Sequence, residues 1–131
     1  MSREEILDVL NRVYPQVIDY YGERSNQHPP QVEIHSSIYA RVSGIPGMTG
    51  EEEPHAEIDR EANKIFLYTP KLVDEEQIIR SIIHEYTHYL QNPGWQKRYY
   101  TMGKNYEDHP YEIEAHKREE DWVKFSKDNV K

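Results

Sequence analysis

The chain has 131 residues, 36% hydrophobic and 31% charged, a size that suits one small domain spanning residues 1–131 and an apolar share low but sufficient for a packed core. It contains no cysteine, which excludes disulfides and thiolate metal knuckles and leaves nitrogen and oxygen to hold any metal. A formal charge of −8 argues against a nucleic-acid partner, whose phosphates require a basic footprint.

Residues 2–21 read as a helix. Ser2 is placed to cap it, Glu5 follows at the reciprocal position, and Ile6, Leu7, Leu10, Val13, Val17 and Ile18 recur at helical spacing. Pro15 is expected to kink or divide this element, and "GERSNQHPP" ends it. The segment 31–42, "QVEIHSSIYARV", is rich in β-branched and aromatic residues and predicts a strand. "SGIPGMTGEEEP" then reads as an exposed loop, and it lacks the lysine and following helix of a phosphate loop.

"HAEIDREANKIFLYTP" predicts a hairpin with strands at 56–59 and 64–68 and a turn at 60–63, although no asparagine–glycine pair marks the turn. From Leu72 to Gln91 the helical period returns, with Asp74 as cap, Gln77 at the box position and an isoleucine-rich face of Ile78, Ile79, Ile82 and Ile83. "NPG" at 92–94 stops it. A tyrosine-rich connector leads to a last helix starting near Pro110, with Tyr111, Ala115, Trp122 and Phe125 on its buried side. The eleven tyrosines and two tryptophans are expected to supply core area while keeping one polar atom satisfied. No apolar run approaches the roughly 18 residues of a membrane span, and the N-terminus lacks the apolar centre of a signal peptide. The expectation is a monomeric cytoplasmic protein with no membrane partner.

Chemistry concentrates in "IIRSIIHEYTHYLQ", residues 78–91. Positions four apart on a helix share a face and lie roughly 6 Å apart, so His84 and His88 can aim ring nitrogens at one point. Zinc takes such nitrogens at about 2.0–2.1 Å. Glu85 need not be a ligand; its carboxylate can take a proton from an activated water and pass it to a leaving amine. A hydrolytic zinc commonly has three protein ligands, and "HPYEIEAHKREE", residues 109–120, offers Glu112, Glu114 and His116 for the third.

With "HEYTH" and "YEIEAH" in hand, the sequence resembles the gluzincins in the broad sense, zinc metallopeptidases with two histidines and a downstream glutamate, including their minimal single-domain members. In much of that group the ligand glutamate stands three residues before a small residue and four before an aspartate. On this chain the pattern implies Glu112 as ligand and Ala115 as the small residue, with His116 where aspartate is expected. Other members place the glutamate directly before the alanine, which would be Glu114. Glu112 is preferred, while the departure at His116 leaves His116, Glu114 or Glu119 to brace a ligating imidazole. No third histidine follows His88 at the spacing of the longer three-histidine signature, which weighs against the metzincins.

The resemblance further implies an edge strand that holds substrate in extended form, for which "HAEID" with His55 and Glu57 is the candidate. For a developing oxyanion, Tyr106, His109 and Tyr111 are available, with packing the better reading for each. The resulting expectation is a small zincin-like α+β domain: an N-terminal helix, a short twisted sheet, the motif helix, and a C-terminal helix carrying the third ligand. Its activity would be zinc-dependent hydrolysis of a peptide or protein substrate with Glu85 as general base. The rivals are a latent or non-catalytic zinc-containing binding module and an amidase on a non-protein substrate.

Overall fold

The computed structural model describes residues 2–25, 27–36, 56–69, 72–91 and 110–126. Helix α1, Arg3–Tyr21, starts as the sequence predicts: Ser2 Oγ accepts from the Glu5 N–H at 3.1 Å and Glu5 Oε1 accepts from the Ser2 N–H at 3.0 Å. Two of the first-turn donors that no helical carbonyl can reach are thereby satisfied. Its buried stripe is Ile6, Val9, Leu10, Val13 and Val17. The expected division at Pro15 is corrected, because α1 runs unbroken through it. Pro15 lies on the exposed face, where the carbonyl it leaves without a helical donor can turn to water. Gly22 ends the helix at φ 80°, ψ −178°, a conformation essentially restricted to glycine.

Among the described residues the sheet has the order β1–β3–β2. Strand β1, Gln31–His35, pairs in parallel with β3, Lys64–Tyr68, and β2, Ala56–Asp59, pairs antiparallel with β3. The hairpin has the expected bounds. Its turn works without asparagine–glycine because Asp59 Oδ1 accepts from the Ala62 N–H at 3.0 Å and Asn63 takes φ 54°, a left-handed value that asparagine tolerates well. The central strand β3 buries Ile65, Phe66, Leu67 and Tyr68 in succession, so it lacks the alternation of a half-exposed strand. The strand expected over 31–42 is seen to His35; residues 37–42 and the loop after them lie outside the described residues.

Helix α2, Glu75–Leu90, is the element on which the others converge: α1, β2, β3 and the C-terminal elements all pack against it. Asp74 Oδ1 accepts from the Gln77 N–H at 2.9 Å, as the sequence implies, while Gln77 Oε1 receives the N–H of Val73 at 3.2 Å rather than that of the cap residue. Ile78, Ile79, Ile82, Ile83 and Tyr86 are fully buried, forming one core with α1, Ile34, Ile65 and Leu67. Burial of this kind stabilises by roughly 1.5–3 kcal/mol per large apolar side chain.

Tyrosines fasten the α1–β1 connection to this core. The hydroxyls of Tyr14, Tyr86 and Tyr89 donate to the carbonyls of Pro30, Gly22 and Gln27 at 2.5, 2.6 and 2.5 Å. Helix α3, Pro110–Arg118, opens on its proline as expected and continues into a 3₁₀ segment, Glu119–Lys124. Tyr111, Ala115 and Phe125 are buried, and Trp122 is partly so. Among the described residues no helix is long and apolar enough to cross a membrane.

Candidate metal centre

The last two turns of α2 and the first turn of α3 bring His84, His88 and Glu112 together, with one donor atom from each within 4.8 Å of the others. His88 Nε2 lies 2.7 Å from Glu112 Oε1 and 3.2 Å from His84 Nε2, and His84 Nε2 lies 3.1 Å from Glu112 Oε2. Three of four tetrahedral ligands at zinc–ligand distances of about 2.05 Å would stand roughly 3.3 Å apart. The two imidazole nitrogens stand at about that spacing, and the Glu112 carboxylate spans them, one oxygen facing each ring.

Hydrogen bonds to the far ring nitrogens determine what the near ones offer. Gln91 Nε2 donates to the Tyr111 carbonyl at 2.8 Å and to Glu114 Oε1 at 3.0 Å, which turns Gln91 Oε1 toward His88 Nδ1 at 2.8 Å. An amide oxygen only accepts, so Nδ1 carries the hydrogen and a neutral His88 presents a lone pair from Nε2. His84 Nδ1 likewise donates to Glu119 Oε2 at 2.7 Å. Two imidazole lone pairs and a carboxylate therefore converge, an arrangement that a cation resolves. The donor set fits zinc.

Burial makes this convergence consequential. The Glu112 and His88 side chains are 2% and 6% exposed and His84 14%. Desolvation alone would lower the pKa of His84, but hydrogen bonds to Glu112 and Glu119, with the charges of Glu85 and Glu112, push it up to about 10. A proton on Nε2 thus stands in for a cation at this position, and a metal must displace it before His84 offers a lone pair there. Glu85 is buried beside the triad. Burial raises its pKa above the usual carboxylate value, with Glu112 and Glu57 adding and His88 and His84 opposing.

The site opens onto a cleft of about 470 Å³ whose lining includes Ala56, Arg80, His84, Glu85, His116 and Glu119. The position of Ala56 puts β2, at the sheet edge among the described residues, beside the triad. Tyr68 donates to Glu57 Oε1 on that strand at 2.5 Å. Arg80, one turn before His84, bonds Glu76 at 2.8 Å, stacks on Trp122 and lies 3.9 Å from Glu119.

Of the candidates for the third position, Glu112 joins the histidines and Glu114 faces Gln91. His116 lies outside the first triad and is 64% exposed. Among the three bracing candidates, Glu119 is the one that meets His84 Nδ1. Tyr111 packs its ring on His88 at 5.6 Å between centroids, while His55, Tyr106 and His109 lie outside the described residues. Sequence reasoning missed Gln91 and Arg60. Gln91, three residues beyond His88, is legible as a neighbour on the same helix face. Arg60 donates a hydrogen bond to the His88 carbonyl from the hairpin turn, a tertiary contact with no local signal.

The His84-Glu85-x-x-His88 motif paired with a distal glutamate, on an N-terminal helix, short mixed sheet, motif helix and C-terminal helix, is consistent with the active site of a gluzincin-like single-domain zinc metallopeptidase. No protein-family model, curated protein or solved structure matches the chain.

Proposed function

We propose that the protein hydrolyses peptide bonds with zinc held by His84, His88 and Glu112, and with Glu85 as general base. The observation that carries this reading is the convergence of two imidazole rings and the Glu112 carboxylate beside a second buried acid, Glu85, at the wall of an open cleft. Zinc in such a set supplies Lewis acidity, polarising a carbonyl and bringing the pKa of a water toward about 7.

The protein's own groups would do the rest. Glu85, made more basic than an ordinary carboxylate by burial, takes the proton of the attacking water and delivers it to the leaving nitrogen. Glu119 and Gln91 hold the two imidazoles in the tautomer that leaves Nε2 available. Strand β2 reaches the cleft at Ala56, where its backbone can align an extended peptide. We infer a peptide or protein substrate met by a cytoplasmic monomer, with no nucleic-acid partner, since the charge of −8 disfavours a polyanion.

The test is Glu85→Gln. Zinc content of about one ion per chain should persist while cleavage of an unstructured protein such as casein is lost, at least 100-fold on the scale of general-base contributions. Stoichiometric zinc with no cleavage by the unmodified protein would make it a binding module instead, and the absence of zinc after remetallation would end the reading.

A further inference from the structure

Beyond the inner triad the cleft holds a second set of donors. His84, His116 and Glu119 each offer an atom within 4.8 Å of the others. Glu119 Oε2 is their hub, 2.7 Å from His84 Nδ1 and 3.0 Å from His116 Nδ1. His116 stands one turn beyond Glu112 on α3, and its other nitrogen, Nε2, lies 3.6 Å from Glu112 Oε2. The two sets thus share His84 and adjoin through the Glu112 carboxylate. Exposure separates them: the His116 and Glu119 side chains are 64% and 17% exposed, whereas His88 and Glu112 are 6% and 2%.

The charge around the outer set also favours a cation. The cleft lining includes the carboxylates of Glu76, Glu85, Glu112 and Glu119 with the guanidinium of Arg80, and a concave wall of predominantly one sign concentrates ions of the other.

We propose that His116, Glu119 and the Nδ1 edge of His84, whose hydrogen leaves to solvent as the ion binds, form a second seat for a divalent cation, next to the inner triad and weaker than it. The imidazole and carboxylate donors select a borderline metal such as zinc over magnesium or calcium. The seat is weaker for two reasons. One of its donors is shared with the inner triad, and the largely exposed His116 side chain loses rotamer freedom on binding. Its open side faces solvent, where water completes the coordination. A cation there ends the hydrogen bond from His84 to Glu119 and takes up space at the cleft lining, so zinc in excess would inhibit hydrolysis; this consequence rests on the peptidase reading.

The experiment is a calorimetric titration of the metal-stripped full chain with zinc chloride, comparing the unmodified protein with His116→Ala, a substitution on an exposed side chain that spares the core. The unmodified protein should take up two ions in a tight and a weak step. His116→Ala should keep the tight step and lose the weak one, and titration with magnesium chloride should reveal neither. One tight ion in both proteins, or an unchanged weak step in His116→Ala, would overturn the outer seat and leave the inner triad standing. No uptake by either protein would overturn both.

Discussion

The Nδ1 nitrogen of His84 meets Glu119 Oε2 at 2.7 Å, so a residue of the motif helix is braced by a carboxylate 35 positions further along the chain. The 3₁₀ segment after α3 carries this carboxylate back to α2. Removing such a partner typically weakens metal binding 10–100-fold. Glu119→Ala should lower zinc affinity by about that factor in a chelator competition, and Glu119→Gln, which keeps an acceptor, by less. Equal affinity in Glu119→Ala and the unmodified protein, with unchanged circular dichroism, would remove the brace from the account.

Glu112 and Glu114 present a sharper contrast. Two residues apart on a helix, they point about 200° apart, and only Glu112 joins the histidines while Glu114 meets Gln91. Glu112→Ala should therefore lose zinc on dialysis, leaving two histidines to hold it. Glu114→Ala should retain the ion, with at most a modest loss through Gln91. Elemental analysis of both proteins decides the matter, and retention of zinc by Glu112→Ala would exclude it as the third ligand.

The contrast marks what a sequence can disclose. The motif helix, its Asp74 cap and the hairpin were legible because each follows from local rules: helical period, side-chain capping, and turn chemistry near Asp59. The choice of Glu112 came from a family pattern, since helix periodicity permits either glutamate and only the placement of α3 against α2 selects one. The Glu119 brace was legible only as one of three candidates. Arg60 was invisible, because its bond to the His88 carbonyl depends on how the hairpin packs on the helix end. Of the two outcomes expected at Pro15, a kink or a division, the division does not occur: the ring and the carbonyl it frees sit on the solvent face.

The tyrosines predict the response to alkali. Tyr14, Tyr21 and Tyr86 all have pKa values raised above the usual 10, chiefly by burial, with neighbouring tyrosines or acids adding to the effect. A phenol whose folded pKa exceeds its unfolded one favours the fold fully below about pH 10, and that contribution declines as pH rises above it, because only the unfolded chain ionises there. Part of the tyrosinate absorbance change should therefore coincide with loss of the far-ultraviolet dichroism of the helices. Complete, reversible ionisation of every tyrosine near pH 10 with dichroism intact would contradict the burial of these hydroxyls.

Arg60 links the hairpin turn to the metal centre, donating to the carbonyl of His88 at the end of α2. The same carbonyl accepts from the Gln91 N–H at 3.2 Å, so the last turn is held from two sides, with the guanidinium also complementing the negative end of the helix. Partial burial and the charge of Arg24 lower the pKa of Arg60, while Glu85 and Tyr111 oppose that shift. A hydrogen bond from a charged donor contributes about 1.5–3 kcal/mol, so Arg60→Ala should lower the melting temperature of the metal-free protein. If Arg60 also positions His88, the rise in melting temperature on adding zinc should shrink in Arg60→Ala and recover partly in Arg60→Lys. An identical zinc-induced rise in all three proteins would confine Arg60 to fastening the hairpin onto the helix.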